Sequence, residues 1–332
     1  MTITDAPAET RPHRRRVALT VLLWLLLAPG AIWFLGRAFG VERGVLVMLT
    51  AFTPYVALWS VVPFLLALAG RRWAAAAVAG LVAFGFAVCV VPRALPNVHK
   101  GPAKGVELHV MTSNMLFGGA DPDEIVQLVR EHDVAVLALQ EFTAEGESAL
   151  AAAGLGELLP YHQLAPEPGA SGSGLYSRYP LTDPGAHRND GGFQQAFAII
   201  QPPGAGPLFV ESAHPLAPAA TSMLPGWRAD LREQPAADPD ATPKILLGDF
   251  NATLDHKRLR DLIATGYRDA ADTVGEGLVG SWGPYDGDPI PPVTIDHVLV
   301  DKRIGVRKVS THAVTDSDHR SLIASLTVPA AS

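Results

Sequence analysis

The sequence predicts an α/β domain that follows three transmembrane helices. Residues 17–36, 45–70 and 73–92 contain no charged side chain. Each stretch reaches the ~20 residues that a helix needs to cross a bilayer. After residue 105, short apolar runs with strand alternation are separated by only a few helical patterns. Many strands with few intervening helices predict two packed sheets with helices outside them.

Charge divides the chain at the same place. Residues 1–103 hold ten Lys or Arg and three Asp or Glu, a net of +7, whereas the rest of the chain is net −14. A uniform soluble protein seldom shows such a division. Cys89 is the single cysteine, so the chain cannot form an intrachain disulfide. It lies in an apolar stretch, which predicts a small buried residue.

The three apolar stretches are predicted to be helical because backbone amides in lipid must bond within their own segment. We expect Pro54 and Pro63 to kink the second helix. A cleaved signal peptide is the alternative for the first stretch, but two spans would still follow it. Core helices of a soluble protein are a further alternative, which the lengths of the stretches disfavour.

Basic residues predict the orientation of these helices. Arginines cluster at residues 11–16, before the first helix, and at Arg71 and Arg72, between the second and third. The positive-inside rule assigns both segments to the cytoplasm. The chain then divides into a cytoplasmic tail (1–16), a membrane module (17–92), a Pro- and Gly-containing linker (93–105) and an extracytoplasmic domain (106–329).

The domain is expected to alternate strands and helices. Alternating or continuous apolar runs predict strands at residues 106–113, 134–139, 174–177, 196–201, 208–212, 244–247, 295–300 and 321–328. Helical spacing of apolar residues predicts helices at 123–132, 223–233 and 257–265. Polar residues follow or precede many of these strands, so one sheet edge is expected to gather them.

The segment ILLGDFNA at residues 245–252 is the most informative of these strand ends. Side chains alternate along an extended chain, so Asp249 and Asn251 point to the same side. A carboxylate beside a carboxamide can orient a water and donate a hydrogen bond to a phosphoryl oxygen. An Asx-rich turn after a strand is the structural alternative.

Two further acidic positions suggest a cation. Glu141 ends a buried apolar run, where a carboxylate is costly unless it is paired or metal-bound. Mg²⁺ is commonly held through one or two carboxylates. In the sequence SDH at 317–319, His319 can stabilise charge near neutral pH, and Asp318 can bind a metal. An exposed glutamate past the strand end and a surface turn are the respective alternatives.

Seven short motifs occur in a fixed order along the domain: Asn114 in TSNML, Glu141 in LQEF, GLYSRYP at 174–180, His214 in SAHP, Asp249 and Asn251 in GDFNA, Asp296 in TIDHVLV, and Asp318 and His319 in SDHR. Together they resemble the endonuclease/exonuclease/phosphatase superfamily over about residues 105–329. The resemblance implies a four-layer α/β sandwich with two β-sheets inside. It also implies a metal-dependent hydrolase of phosphoric esters or diphosphates.

The resemblance implies a metal set and a catalytic set. Asn114 and Glu141, with Asp318 nearby, would hold Mg²⁺, with Mn²⁺ or Ca²⁺ as alternatives. In-line attack of water on phosphorus is the implied chemistry. Asp249 would orient or deprotonate the attacking water. Asn251 and His214 would donate hydrogen bonds to phosphoryl oxygens. His319, oriented by Asp296, would stabilise the transition state.

Several positions differ from the nucleases of the superfamily. Leu116 stands where abasic-site nucleases have an acid, and Ala170 stands where they have a tyrosine. Secreted deoxyribonucleases have an arginine where this chain offers Gln194 and Gln195. Affinity for nucleic acid comes mainly from Lys and Arg contacts to phosphates, which a domain of net −14 disfavours. Nucleic acid is therefore not an expected partner.

The predicted helices favour a substrate at the outer leaflet. Three helices before such a domain resemble the actinomycete membrane proteins of the VanJ type, associated with glycopeptide (teicoplanin) resistance. That resemblance implies action on a lipid-linked envelope phosphate such as undecaprenyl diphosphate. The expected partners are the lipid bilayer and this substrate, and no protein partner can be inferred from the sequence.

Three other functions remain as alternatives: an extracellular membrane-anchored nuclease, a catalytically inactive anchored binding protein, and a transporter. The presence of every expected catalytic side chain disfavours the inactive protein. Spans without an intramembrane charge offer a transporter no polar pathway.

Four further residues have open or structural interpretations. Alternation points His297 away from Asp296. Trp227 is expected in the core. Trp282 and Tyr285 are either core residues or the rim of an apolar substrate site.

Overall fold

The structure is a computed structural model that describes residues 10–98, 100–102, 104–283 and 289–331, with side chains from residue 15 onward. The chain forms two compact units. One comprises Met1–Val41 and Phe52–Val91, and the other comprises Glu42–Ala51 and Pro92–Ser332.

The N-terminal region is helical. Its helices are α1 (Thr10–Ala38), α2 (Leu46–Thr50), α3 (Thr53–Ala69) and α4 (Trp73–Val90). Two segments, Arg15–Ala38 and Trp73–Ala94, are long and apolar enough to cross a membrane, and the first lies where a signal sequence would also lie. Helix α3 is a shorter apolar helix of 17 residues. Length and composition thus support two of the three predicted spans.

The predicted second span, 45–70, is not one helix. It divides into α2 and α3, and α2 belongs to the unit that contains the α/β domain. The reason is that the Val47 side chain of α2 is fully buried in a core of that unit. Pro54 lies in the first turn of α3, where proline is favoured, so it does not kink the helix. Pro63 does lie within α3.

Cys89 also differs from its prediction. It is only half-buried, and the Arg37 guanidinium lies 2.9 Å from its Sγ atom.

The described residues of the domain form two six-stranded sheets, with strand orders β11-β12-β1-β2-β4-β3 and β5-β6-β7-β8-β10-β9. Its elements are β1 (Val106–Asn114), α5 (Pro122–Glu131), β2 (Val136–Gln140), α6 (Ala144–Ala152), α7 (Leu155–Leu158), β3 (Tyr161–Ala165), β4 (Ser173–Ser177), β5 (Leu181–Arg188), β6 (Gln194–Ile200), β7 (Leu208–Ala213), α8 (Leu224–Glu233), β8 (Lys244–Asp249), α9 (Lys257–Ala264), β9 (Tyr267–Asp269), α10 (Ala270–Val274), β10 (Asp296–Asp301), β11 (Gly305–Ala313) and β12 (Arg320–Val328).

Alternation along the central strands produces the layers. On β1, Val110 faces a core shared by both sheets, whereas the next residue, Met111, packs in a second core with residues of α5 and α6. On β8, Leu247 lies in the shared core and Leu246 in a third core with residues of α8 and α9. Helices therefore cover the outer face of each sheet, as the predicted α/β sandwich requires.

All eight interior strands correspond to a predicted strand, and the four strands absent from the prediction are β3, β5, β9 and β11. These four are the edges of the two sheets. An edge strand is paired on one side only, so it needs no continuous apolar run. Strand β5 is mostly exposed, contains Pro184 and has an irregular register between Thr182 and Gly185.

Candidate active site

The predicted site residues converge because of strand direction. Strands β1 and β2 are parallel, as are β7 and β8, so Asn114, Glu141, His214 and Asp249 lie at or just beyond their carboxyl ends. Strands β10 and β12 run antiparallel to these strands, and their amino ends reach the same edge. Asp296 consequently pairs with Asp249 in register.

Asn114 joins the two sheets at this edge. Its Nδ2 donates to Glu141 Oε1 at 3.1 Å and to Asp249 Oδ2 at 3.2 Å. Its Oδ1 accepts from the Leu116 backbone N–H at 3.0 Å. Asn114 is buried, so it holds a carboxylate of each sheet in a water-poor region.

The Asp249–Asn251 turn has a constrained backbone. Asn251 adopts a left-handed conformation with φ of 48°, and its backbone N–H donates to Asp249 Oδ1 at 2.8 Å. The Asn251 side chain donates one Nδ2–H to the Pro215 carbonyl at 3.0 Å, and its amide carries a second N–H. Burial, partly opposed by the charge of His319, raises the pKa of Asp249 to about 7.

His319 is an ion-paired, buried histidine. Its Nδ1 lies 2.9 Å from Asp296 Oδ2, and its Nε2 lies 3.7 Å from Asp249 Oδ2 and 3.9 Å from Asp318 Oδ1. Burial favours the neutral ring, but the nearby carboxylates of Asp296 and Asp249 outweigh burial and raise the pKa of His319 to about 10. The ring is therefore protonated near neutral pH, with Nδ1–H donating to Asp296.

His214 has the opposite charge state. Burial, together with the positive charge of His319, lowers the pKa of His214 to about 3. Its Nε2 lies 3.7 Å from Asp249 Oδ2, and its buried Nδ1 has no hydrogen-bond partner among the residues that the structure describes. The backbone N–H of His214 donates to Gln195 Oε1 at 2.9 Å. A neutral imidazole with a spare polar atom is suited to bonding a ligand oxygen.

Glu141 and Asp318 form the acidic side of the site. Glu141 has a left-handed φ of 54°, and its Oε2 accepts from the Phe117 backbone N–H at 2.9 Å. Burial raises its pKa despite the hydrogen bond from Asn114. Asp318 Oδ2 accepts from Trp282 Nε1 at 2.9 Å, whereas its buried Oδ1 has no hydrogen-bond partner in the described part of the chain.

The carboxylates of Glu141 and Asp318 fit a hard divalent cation, because they supply the oxygen ligands that Mg²⁺ prefers. Asn114, which the sequence assigned to the metal, turns its Nδ2 atom toward Glu141 and Asp249, and its Oδ1 accepts from the Leu116 N–H. The Oδ1 atom of Asp318 and the desolvated carboxyl of Glu141 are groups that a cation would satisfy. Ligand atoms of Asp249, Asp296 and His319 also lie within 4.8 Å of one another. His319 Nδ1 and Asp296 Oδ2 already bind each other at 2.9 Å, so we favour the Glu141 side as the cation position.

Neighbouring residues that sequence reasoning did not assign to the site support it. The Trp227 Nε1–H donates to the Asn251 carbonyl at 3.0 Å, and Ser281 Oγ accepts from the Asp296 backbone N–H at 2.9 Å. The Phe193 ring centroid lies 4.6 Å from that of His214. No sequence signal distinguished these residues, because each acts through a backbone group or a ring face.

The open interpretations are resolved for three residues. His297 points away from the site, with Nδ1 2.7 Å from Asp269 Oδ2 and Nε2 2.9 Å from the Ala252 carbonyl. Trp227 is fully buried, as predicted. Trp282 is half-buried and holds Asp318, so it is neither a simple core residue nor a free rim. Tyr285 lies outside the described residues.

The comparison with known families agrees with this geometry. The model of the Endonuclease/Exonuclease/phosphatase family matches residues 111–319. The chain belongs to this family. Members of the Endonuclease/Exonuclease/phosphatase family hydrolyse phosphoester bonds and generally use a divalent metal. Among curated proteins, no sequence match to the chain was found.

Solved structures share the fold at low sequence identity. An endonuclease/exonuclease/phosphatase from Beutenbergia cavernae is 18% identical, with a TM-score of 0.54, over 68% of this chain and 72% of its own. A 3′ phosphatase NExo from Neisseria, bound to a product DNA hairpin, is 17% identical with a TM-score of 0.52, over 65% and 98%. Sphingomyelinase C from Streptomyces griseocarneus is 16% identical with a TM-score of 0.50, over 66% and 99%.

Glu141→Gln is expected to weaken Mg²⁺ binding while the fold remains intact, because the amide keeps the shape of the side chain but removes its charge. Calorimetric titration should show a Kd raised by roughly 10-fold or more, and phosphoester hydrolysis should fall by about 100-fold. Glu145→Gln, at an exposed position in the following helix, is the matched control. Unchanged Mg²⁺ affinity in Glu141→Gln, with hydrolysis insensitive to EDTA, would show that Glu141 holds no metal.

Proposed function

We propose that this protein is a Mg²⁺-dependent phosphoesterase or pyrophosphatase that acts on a lipid-linked envelope phosphate, such as undecaprenyl diphosphate, at the outer face of the cell membrane. A role in glycopeptide (teicoplanin) resistance would follow from that substrate. The observation that carries the proposal is the combination, in one chain, of the phosphoesterase site with apolar N-terminal helices long enough to span a bilayer.

The side chains of the site support hydrolysis by attack of water on phosphorus. Asp249, with a pKa of about 7, can accept a proton from the attacking water near neutral pH. Neutral His214 and the second N–H of Asn251 can bond phosphoryl oxygens. Protonated His319, oriented by Asp296, can stabilise the charge that develops in the transition state. A divalent cation on Glu141 and Asp318 would supply further charge stabilisation when bound.

The mouth of the site supports an apolar substrate. The Phe117 side chain is 58% exposed, although its backbone N–H is bonded to Glu141. Leu116 and Phe117 both adopt left-handed conformations, with φ of 42° and 55°. Such backbone strain in non-glycine residues is concentrated at functional sites. A rigidly held, exposed phenylalanine beside the acidic side of the site suits a lipid chain better than a polyanion.

The fold alone does not distinguish between these classes of substrate. Similar folds occur in a protein named a sphingomyelinase C and in a phosphatase bound to DNA. The net charge of −14 after residue 103 instead disfavours nucleic acid. A membrane-anchored nuclease therefore remains the alternative that a substrate comparison must exclude.

The domain and the segment between α1 and α3 are inferred to lie on the same side of the membrane, because Glu42–Ala51 belongs to the compact unit of the domain. The arginines at residues 11–16 and at 71–72 favour the cytoplasm for the opposite side. The proposed topology therefore has a cytoplasmic N-terminus and an extracytoplasmic catalytic domain.

His319→Ala is expected to lower kcat by roughly 1,000-fold, because it removes the buried cation near the reacting phosphate. Asp296→Asn should lower kcat less, since Oδ1 of asparagine can still accept from Nδ1–H of His319. A chromogenic phosphodiester assay measures both effects, and His162→Ala, at an exposed histidine, should retain activity. If His319→Ala hydrolyses the substrate at the parent rate, His319 has no role in the mechanism.

Phe117→Ala is expected to lower kcat/KM for vesicle-bound undecaprenyl diphosphate by about 10-fold, because it removes apolar contact area. Activity on a soluble phosphate ester should change by less than about 2-fold. Tyr161→Ala, at an exposed aromatic residue of the edge strand β3, is the matched control. If the parent protein hydrolyses duplex DNA faster than the lipid diphosphate, the result would favour the membrane-anchored nuclease.

The proposed topology predicts that alkaline phosphatase fused after Lys100 will be active in cells, because this enzyme folds only outside the cytoplasm. A fusion after Arg71 should be inactive. Fluorescence from a cytoplasm-restricted reporter at Lys100 would contradict the orientation.

A further inference from the structure

The segment Glu42–Ala51, here called the α2 segment, is separated in sequence from the rest of the catalytic unit by α3 and α4. Its Val47 side chain has no exposed surface. Val47 lies in the same hydrophobic core as Trp227, Phe250 and Leu259. Burial of an apolar side chain stabilises the arrangement that removes it from water. The α2 segment is therefore part of the core beneath one sheet of the domain.

Polar contacts fix the start of the α2 segment. Glu42 is the only acidic residue between Glu9 and Glu107. Its nearly buried carboxylate lies 3.8 Å from Arg258 Nε and accepts from the Arg258 backbone N–H at 3.3 Å. The Arg228 guanidinium donates to the Glu42 carbonyl oxygen. The one carboxylate of the segment thus meets Arg258 of α9, and the backbone carbonyl of the same residue meets Arg228 of α8.

His256 connects the α2 segment to the turn after β8. Its Nδ1 accepts from the Thr253 backbone N–H at 2.9 Å, so the hydrogen of the neutral ring lies on Nε2. That Nε2–H donates to the Val47 carbonyl oxygen at 2.8 Å. Burial lowers the pKa of His256, in agreement with a neutral ring. The mechanism assigns no role to this fully buried histidine.

Asp255, the residue before His256, binds the segment that leads from α4 into the domain. Arg93, which follows α4, makes a buried two-point ion pair with Asp255, with N–O distances of 2.8 and 2.7 Å. Both segments that lead from the helices into the domain therefore contact adjacent residues of one turn.

This turn is coupled to the catalytic residues through Trp227. The Trp227 ring packs edge-on against His256, with centroids 5.4 Å apart, and its Nε1–H donates to the Asn251 carbonyl at 3.0 Å. Asn251 has the left-handed backbone that places its N–H on Asp249 Oδ1. Such a strained conformation persists only when its surroundings hold it.

We propose that the α2 segment is a positioning element of the active site. It holds His256 and the core face of Trp227, and these residues hold Asn251 and Asp249 in the geometry needed for turnover. A catalytic domain that begins after α4 lacks Val47 and Glu42, so it should turn over slowly even with a soluble ester. The proposal rests on phosphoester hydrolysis at this site, as proposed above, but not on a lipid substrate.

Val47→Ala in the full-length protein in detergent tests the proposal, with Val45→Ala as the matched control. Val45 is the same residue type two positions earlier and is 57% exposed. With a soluble bis(4-nitrophenyl) phosphate substrate, Val47→Ala should lower kcat by roughly 10-fold with little change in KM or Mg²⁺ affinity. Val45→Ala should match the parent. Equal kcat values for both variants and the parent would overturn the proposal.

Two substitutions of His256 test the two hydrogen bonds of its ring separately. The longer amide of His256→Gln can reach the Val47 carbonyl, whereas His256→Asn can accept only from Thr253. We expect kcat to remain within about 3-fold of the parent for His256→Gln and to fall by roughly 10-fold or more for His256→Asn. Equal losses in both variants would show that His256 acts only within its own turn and would contradict the role of the α2 segment.

Amide hydrogen exchange gives a readout that does not require activity. Peptides covering residues 249–256 should exchange faster in Val47→Ala than in the parent or in Val45→Ala. If the parent hydrolyses no phosphoester but this exchange difference is found, the proposed function fails and the positioning role stands. If the parent is active and exchange in this turn is unchanged, the positioning role fails.

Discussion

The structure of the site depends on charge compensation around Asp249. This buried carboxylate lies between the two sheets, where Asn114 and His319 approach it from one sheet and His214 and Asn251 from the other. Burial makes its negative charge costly, and hydrogen bonds from Asn114 and Asn251 and the nearby charge of His319 lower that cost. Two packed sheets can place several carboxylates at one edge only when hydrogen-bond donors or positive charges lie beside those carboxylates.

The same constraint explains the different states of the two histidines. His319 is bonded to Asp296 and remains protonated, whereas among the described residues no carboxylate lies within hydrogen-bonding distance of His214, which becomes neutral. One ring can therefore contribute positive charge, and the other can contribute a neutral polar contact. Residues of the same type acquire different chemistry because their neighbours differ.

Backbone strain accompanies this arrangement. Glu141 and Asn251, which follow the ends of β2 and β8, both have left-handed backbones, as does Phe117 at the mouth of the site. Each is fixed by a hydrogen bond to a neighbouring element. Rigid surroundings must supply that restraint, and the α2 segment extends these surroundings into the N-terminal third of the chain.

The amino-acid sequence alone predicts the class of the fold, the eight interior strands of the described part of the chain and the order of the site residues. Interior strands and strand-end motifs are local patterns, since apolar runs and the side chains that follow them are encoded in consecutive residues. Tertiary packing, by contrast, sets the four edge strands, the charge states of His214 and His319, and the place of Val47 in the domain core. These depend on residues distant in sequence, because burial and electrostatic partners are set by packing rather than by local pattern.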